Sequence, residues 1–534
     1  MSKLTSHLEE CFKANRPLAG LLAVYFAVAA YHFFRQGLVH FDEALFVVVV
    51  NTYSSIIHEA LTNWRGLFGS GFLGQLMADY GNIYTSARPS YILPAVLADA
   101  FVPAQFVTRL LNLLAGAGTV IYFYRIQDFF SIDKTLKFFS TLLLIISPLF
   151  LMYGRIGLSQ YLSAFLLLAT VFHLLRFVDK GERRELKIAS VFLSLLLMSH
   201  YNILPVVFLI CVFVLFHLFK TKKPVSDYLT FASNFLFLPL VWEAITRLGV
   251  FLASYKNLVA LGGDQRLYSY FQEVINQLSG VSSTKGFALD QPLYYFKLLF
   301  QTEGLVFSIL LAAALFWILL NIRKIRYGYI FVLAYFFIVF FSLSYLKFPR
   351  NFVTILPLVY LSIPVALQHF LTTRRNSAKR IAPAILILVL VIGAGINYRN
   401  YRAIYGLKTN FQEIARWITK KYDKDSTLVL TSIPPVYRVY LPGYRVEGVY
   451  EPSSWQEQAK GKKNIIYVRD YTTTMNAYDL DVSGYRFKTV QEFEDNVHDL
   501  PPLILEYYYR SAADSQKMID GTRGGRDKII ELSL

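Results

Sequence analysis

Apolar runs of about the length of a bilayer core recur along the first three quarters of the chain, and short stretches carrying the charges separate them. The first run covers 17–34 and follows a tail with Lys3, Lys13 and Arg16. After it come the acidic pair Asp42-Glu43 and an amphipathic, glycine-interrupted stretch, 51–82, which reads as interfacial helices lying on the membrane. Residues 86–102 read as a partly embedded helix that starts and ends on the outer side. Pro89 suits its first turn, where a missing N–H costs nothing. Spans then alternate at 105–124, 136–153, 161–177, 188–201, 203–219, 228–245, 304–320, 327–345, 353–371 and 381–395. With 17–34 they make eleven expected spans. A long outer loop is expected at 247–301, and the segment boundary at His200-Tyr201-Asn202 is the least sharply marked.

This arrangement puts every compact basic cluster on one side: Arg125 with Lys134 and Lys137; Lys180, Arg183, Arg184 and Lys187; Lys220, Lys222 and Lys223; Arg323, Lys324 and Arg326; Arg374, Arg375, Lys379 and Arg380. Lys and Arg accumulate in cytoplasmic loops, so the N-terminus is expected inside and the C-terminus outside. From 398 onward the pattern changes. Prolines and charges appear, with a helical stretch at 411–422 and β-rich runs at 427–431, 464–468, 503–509 and 528–532. The fold class expected is a polytopic α-helical membrane protein, 1–397, with outer loops at 35–104 and 247–301. A small extracytoplasmic α/β or α+β domain, 398–534, completes it.

Composition agrees. Of 534 residues, 55% are hydrophobic and only 17% charged, which a soluble domain does not sustain. The net charge of +17 follows from the basic cytoplasmic loops and forms no separate patch interleaved with aromatics, so nucleic acid is not an expected partner. Cys11 and Cys211 read as packing residues rather than a disulfide. No signal-peptide cleavage pattern follows the first run, which reads as an uncleaved anchor. The stretch 398–534 has no nucleotide-binding glycine loop, no His/Cys metal spacing and no nucleophile elbow.

The polar residues left over gather at the outer boundary. Asp42 and Glu43 read either as the N-terminal cap of a helix at 44–61 or as a base or metal ligand, since a carboxylate at membrane depth is costly to desolvate. Arg88 and Arg109 flank the embedded helix, Arg155 follows the third span, and Lys347 and Arg350 follow the ninth. His200 and Tyr201 lie at the same level, His200 reading as a packed histidine or as a member of the site. Taken singly, each cation also reads as an interfacial snorkeler or an ordinary loop charge. Together they sit where a lipid phosphate would lie, in loops that the positive-inside bias should deplete of arginine.

Several motifs in this order resemble a known family. They are Phe41-Asp42-Glu43, Arg88-Pro89-x-Tyr91, Arg109-Leu110-Leu111-Asn112, Ser147-Pro148, Tyr153-Gly154-Arg155-Ile156-Gly157-Leu158, and Lys347-Phe348-Pro349-Arg350 before Leu356-Pro357. The membrane half is similar to the GT-C glycosyltransferases, in particular bacterial relatives of protein O-mannosyltransferases and the aminoarabinose transferase that modifies lipid A. The resemblance implies a polyprenyl-phosphate-linked sugar as donor on the outer side of a bacterial inner membrane. It implies an acceptor hydroxyl on a lipid, glycan or protein, Asp42 (with Glu43) as base, and inversion in a single displacement. The cations at 88, 109, 155, 347 and 350 would hold the leaving phosphate. Relatives often carry a second acid after the arginine that Arg155 matches. Here the chain reads Gly157-Leu158-Ser159-Gln160, so no metal cofactor is expected, with Mg²⁺ or Mn²⁺ at Asp42-Glu43 the alternative. The competing functions are a flippase for a polyprenyl-linked sugar and a lipid-linked polymerase or ligase. The first would show inverted repeats and broken mid-membrane spans, which the sequence lacks.

Overall fold

The computed structural model describes residues 15–62, 88–255, 270–271, 293–343, 348–373, 377–449, 452–476, 479–482, 484–494 and 526–533. Helix α1 (Arg16–Ala30) has Pro17 in its first turn and buries Leu18, Leu21, Tyr25 and Ala29, a stripe at helical spacing. The chain then turns into α2 (Phe41–Thr62). Helix α3 (Pro89–Asp99) is the expected short helix, and α4 (Ala104–Ile126) follows it. Tyr25 on α1 donates to the Leu113 carbonyl of α4 at 3.0 Å.

The expected third span, 136–153, is not one rod. It breaks into α5 (Lys134–Ile145) and α6 (Pro148–Gly154), bent by 58°. Ser147-Pro148 causes the break. Proline cannot continue the helix behind it, and the Ser147 hydroxyl caps the new helix by accepting the Phe150 N–H at 3.1 Å. Helix α7 (Ser159–Lys180) is the central element, with 78% of its apolar window buried. Around it lie α8 (Arg183–Leu197), α9 (Leu204–Lys220) and α10 (Val225–Tyr255). Only 17% of the α10 window is buried, and Phe216, Phe219 and Phe237 point outward, as apolar side chains do against lipid. Helix α10 runs past Arg247, so the beginning of the expected outer loop is helical. Its end is helical too, in α11 (Tyr294–Thr302). Helix α12 (Gly304–Asn321), α13 (Phe331–Leu343), the short α14 (Pro349–Val353), α15 (Leu356–Thr373), α16 (Ser377–Ile396) and α17 (Tyr398–Gly406) complete the helical part.

Each expected span thus has a helix. Among the described residues, four helices are long and apolar enough to cross a membrane, or up to six if each bent pair counts as one span. Shorter apolar helices include Arg16–Ala30 and Leu204–Lys220. Of the stretch expected to lie on the membrane surface, 51–62 belongs to α2 and 63–82 lies outside the described residues.

After α18 (Phe411–Lys421) the chain builds a five-stranded sheet of order β2-β1-β3-β5-β4. Its strands are β1 (Thr427–Thr431), β2 (Arg445–Gly448), β3 (Asn464–Arg469), β4 (Arg486–Glu494) and β5 (Arg526–Ser533). Strands β1, β2 and β3 are parallel, and β4 and β5 add antiparallel. Both faces of β1 are covered, which explains its unbroken apolar run. Leu428 and Leu430 meet Trp455, whereas Val429 faces the core shared with Phe411 and Tyr437. Three β-rich runs of the sequence are strands here, and 503–509 lies outside the described residues. Strands β2 and β4 carry too many charges to stand out by pattern. Between β1 and β2, α19 (Pro434–Tyr440) packs against α2 and brings this part of the chain to the acidic pair.

Candidate active site

Asp42 does not cap α2. His40 takes that role: its Nδ1 accepts the Asp42 N–H at 3.0 Å, and its carbonyl accepts from Ala44 at 3.1 Å. The Asp42 carboxylate is left to accept from the Arg350 guanidinium. Burial alone would raise its pKa, but Arg350, with His40 and Arg88 behind it, outweighs burial and holds Asp42 at about 2.

Glu43, one residue on, has a different fate. It is fully buried. Its Oε1 accepts from Arg109 Nε at 2.7 Å and from the Gly157 N–H at 2.9 Å, and its Oε2 accepts from the Val39 N–H at 2.9 Å. Arg109 in turn donates to the Gly37 carbonyl. Glu43 is therefore a clamp joining α2, α4 and the loop before α7. Gly157 is required there, because a Cβ would stand 2.5 Å from Thr108 Oγ1 and 3.3 Å from Glu43 Cγ. Gly37 is required at the other end: its φ is +68°, and a Cβ would stand 2.9 Å from Thr409 Oγ1. Asn112 completes the joint by donating to the carbonyls of Ile156 and Leu158 at 2.5 and 2.9 Å.

The expected cations divide into two groups. Arg88 and Arg350 are buried beside Asp42 and act on its charge. Arg88 lies 4.8 Å over the Phe46 ring and Arg350 4.9 Å over that of Phe348. Arg109 and Arg155 are tied into the fold. Arg109 holds Glu43, and Arg155 donates to Gln36 Oε1 at 3.2 Å and to the carbonyls of Ala29 and Tyr31, gripping the end of α1. Lys347 lies outside the described residues.

His200 is buried beside the first group. Its Nδ1 accepts the Asn202 N–H at 3.1 Å, and its Nε2 lies 2.9 Å from the side-chain amide nitrogen of Gln160. Tyr201 occupies a short 3₁₀ turn, Tyr201–Ile203. Asn202 donates to Asn351 at 2.8 Å, joining this turn to the helix that carries Arg350.

Glu303 was not among the expected site residues. It is fully buried at the start of α12, and it accepts from Ser147 Oγ at 2.8 Å, the Leu149 N–H at 3.1 Å and Tyr360 OH at 2.5 Å. A carboxylate thus sits at the N-terminus of α6 and fixes the break that aims Arg155. The only signal for it was a lone acid just before a strongly apolar run.

No group of three or more His, Cys, Asp or Glu side chains is placed to hold a metal ion among the described residues. Asp42 and Glu43 do not fit a shared cation, since both Glu43 oxygens already accept from Arg109, Gly157 and Val39.

The architecture is the GT-C fold. Residues 90–242 match the family model of dolichyl-phosphate-mannose-protein mannosyltransferases. The fold matches the aminoarabinose transferase ArnT of Cupriavidus metallidurans in its structure bound to undecaprenyl phosphate. The TM-score is 0.55 at 14% identity, over 89% of this chain and 95% of that one. The apo structure of the same transferase matches at 0.55 and 14%, over 90% and 96%. No curated protein matches the chain in sequence.

Proposed function

We propose that the protein transfers a sugar from a polyprenyl phosphate to a hydroxyl acceptor at the outer face of a bacterial inner membrane, with the sheet-bearing part, 398–534, on that face. The observation that carries this reading is the Asp42–Arg350 pair beside Arg88. A carboxylate and two buried guanidiniums supply both charges that the reaction needs. The acceptor oxygen attacks the anomeric carbon and gives its proton to Asp42. The bond from that carbon to the phosphate oxygen breaks, and the polyprenyl phosphate leaves with the electron pair, stabilised by Arg350 and Arg88, with Lys347 as a further cation. One displacement inverts the anomeric carbon. Arg109 and Arg155 act by holding the loops in place. The fold match to a transferase whose structure holds undecaprenyl phosphate supports a polyprenyl carrier here, and the occupied Glu43 oxygens support a reaction without a metal.

The test is release of polyprenyl phosphate from a panel of polyprenyl-phosphate sugars by membranes carrying the protein, with envelope extract as acceptor. Release with one donor, equal in EDTA and in Mg²⁺, is expected. Movement of labelled donor between leaflets with no release would overturn the reading in favour of a flippase.

The pair also predicts a pH dependence. The folded pKa of Asp42 lies below its unfolded value. The pair therefore stabilises the fold above the ordinary carboxylate range, and that contribution is lost as pH falls towards 2. A bound donor phosphate shares the Arg350 charge and so raises the Asp42 pKa. The acid limb is expected in kcat at a higher pH than in kcat/KM, which reports the free enzyme. Coincident limbs in the two profiles would contradict this role for Arg350.

A further inference from the structure

The segment between α1 and Asp42 has no regular structure, yet its backbone is bonded at nearly every residue. The Gln36 carbonyl accepts from the Thr409 N–H at 3.4 Å. The Gly37 carbonyl accepts from Arg109. The Leu38 N–H donates to Tyr440 OH at 2.8 Å, and its carbonyl accepts from Thr409 Oγ1 at 2.8 Å. The Val39 N–H donates to Glu43, and its carbonyl accepts from Tyr471 OH at 3.0 Å. Arg109 and Glu43 belong to the helical part. Thr409, Tyr440 and Tyr471 belong to the chain that builds the sheet, and between them they make four of these bonds.

We infer that Tyr440 and Tyr471 are positioning residues for the reaction, through which the sheet-bearing domain sets the place of Asp42. The inference rests on the function proposed above. Buried backbone groups must be bonded, and an irregular segment next to a reacting carboxylate has no ladder of its own. Helix α1 and the Glu43 clamp hold its two ends. The phenol hydroxyls hold its middle, at Leu38 and Val39, immediately before the capping His40. Each tyrosine is itself fixed. Tyr440 ends α19, which packs on α2. Tyr471 stacks on Phe411 at 5.6 Å, and its N–H donates to Asp527 at 3.0 Å. Asp527 also accepts from Asn410, beside Thr409, at 3.0 Å. Asp527 thus joins Tyr471 to the stretch that carries Thr409, and Tyr437 ties the helix of Tyr440 to the same part by its edge contact with Phe411 and its hydrogen bond to Asp470. A shift of this domain would move Leu38 and Val39, and with them His40 and Asp42. The domain is then part of the active-site frame, beyond any part it takes in shaping the acceptor site.

Tyr440→Phe, Tyr471→Phe and the double variant test this, because phenylalanine keeps the rings and their stacking and removes only the hydroxyls. Two readouts are taken on the full-length protein: amide exchange of the 36–43 segment and the steady-state constants for the donor. The double variant is expected to lose about 10²-fold in kcat, the scale of a small misplacement of a reacting group, with KM for the donor changed by less than about twofold. The segment should exchange about tenfold faster, as the loss of an otherwise satisfied hydrogen bond allows. Unchanged exchange, or a loss of activity that appears only in KM, would overturn the inference. Faster exchange in a wild-type background that transfers no sugar would overturn the proposed function and leave the clamp standing.

Discussion

Asp42→Asn is expected to lower sugar transfer by a factor of ~100 or more, the range for losing a general base. Asparagine has almost the same shape and still offers Arg350 an oxygen, but it takes no proton from the acceptor. His40, not Asp42, caps α2, so the helix should survive the change. The cost to stability is the counter-charge lost by buried Arg350, about 2–3 kcal/mol, less than for full removal because asparagine still accepts its hydrogen bond. Polyprenyl phosphate release and the thermal unfolding midpoint, measured on the same preparation, separate the two effects. A fall of less than about tenfold, with the donor already identified, would return Asp42 to a purely structural partner of Arg350.

Glu43→Ala is expected to destabilise the protein by about 3–5 kcal/mol, because it leaves the guanidinium of Arg109 buried without its counter-charge. It also orphans the N–H groups of Val39 and Gly157. The neighbouring acids therefore separate in kind: one variant folds and does not react, and the other fails to hold its fold. The check is thermal unfolding of Glu43→Ala beside the double variant Glu43→Leu with Arg109→Met. Removing both charges with apolar groups of similar volume should recover a large part of the loss. Equal losses in the two variants would mean that the buried pair is not the source of the effect.

The helical segments were legible because an apolar run of bilayer length has few alternatives, and the breaks between runs carry proline, glycine and charge. The bend at Ser147-Pro148 was present as a dipeptide, but its meaning depended on Glu303, which is 156 residues from Ser147 in sequence and accepts from both Ser147 and Leu149 at the start of α6. The acidic pair was legible as a pair. What each carboxylate does was not, since adjacent residues at a helix start point in different directions, one to Arg350 and one to Arg109. Similarly, five cations read as one expected set, of which Arg88, Arg109, Arg155 and Arg350 are among the described residues. Their division between Asp42 and the frame depends on which loop meets which.

By itself, the sequence determined the class of the protein: a long, apolar, helical chain with β-rich runs near its end. Those properties are local or periodic, and solvent or lipid selects them residue by residue. Only the tertiary structure decided that His40 caps α2, that Glu43 and Arg109 form a buried clamp, and that Thr409, Tyr440 and Tyr471 hold the segment before Asp42. Each of these is a contact between residues distant along the chain or a choice among several nearby partners. Such contacts are fixed by the geometry that buries every polar group with a partner, which no periodicity records.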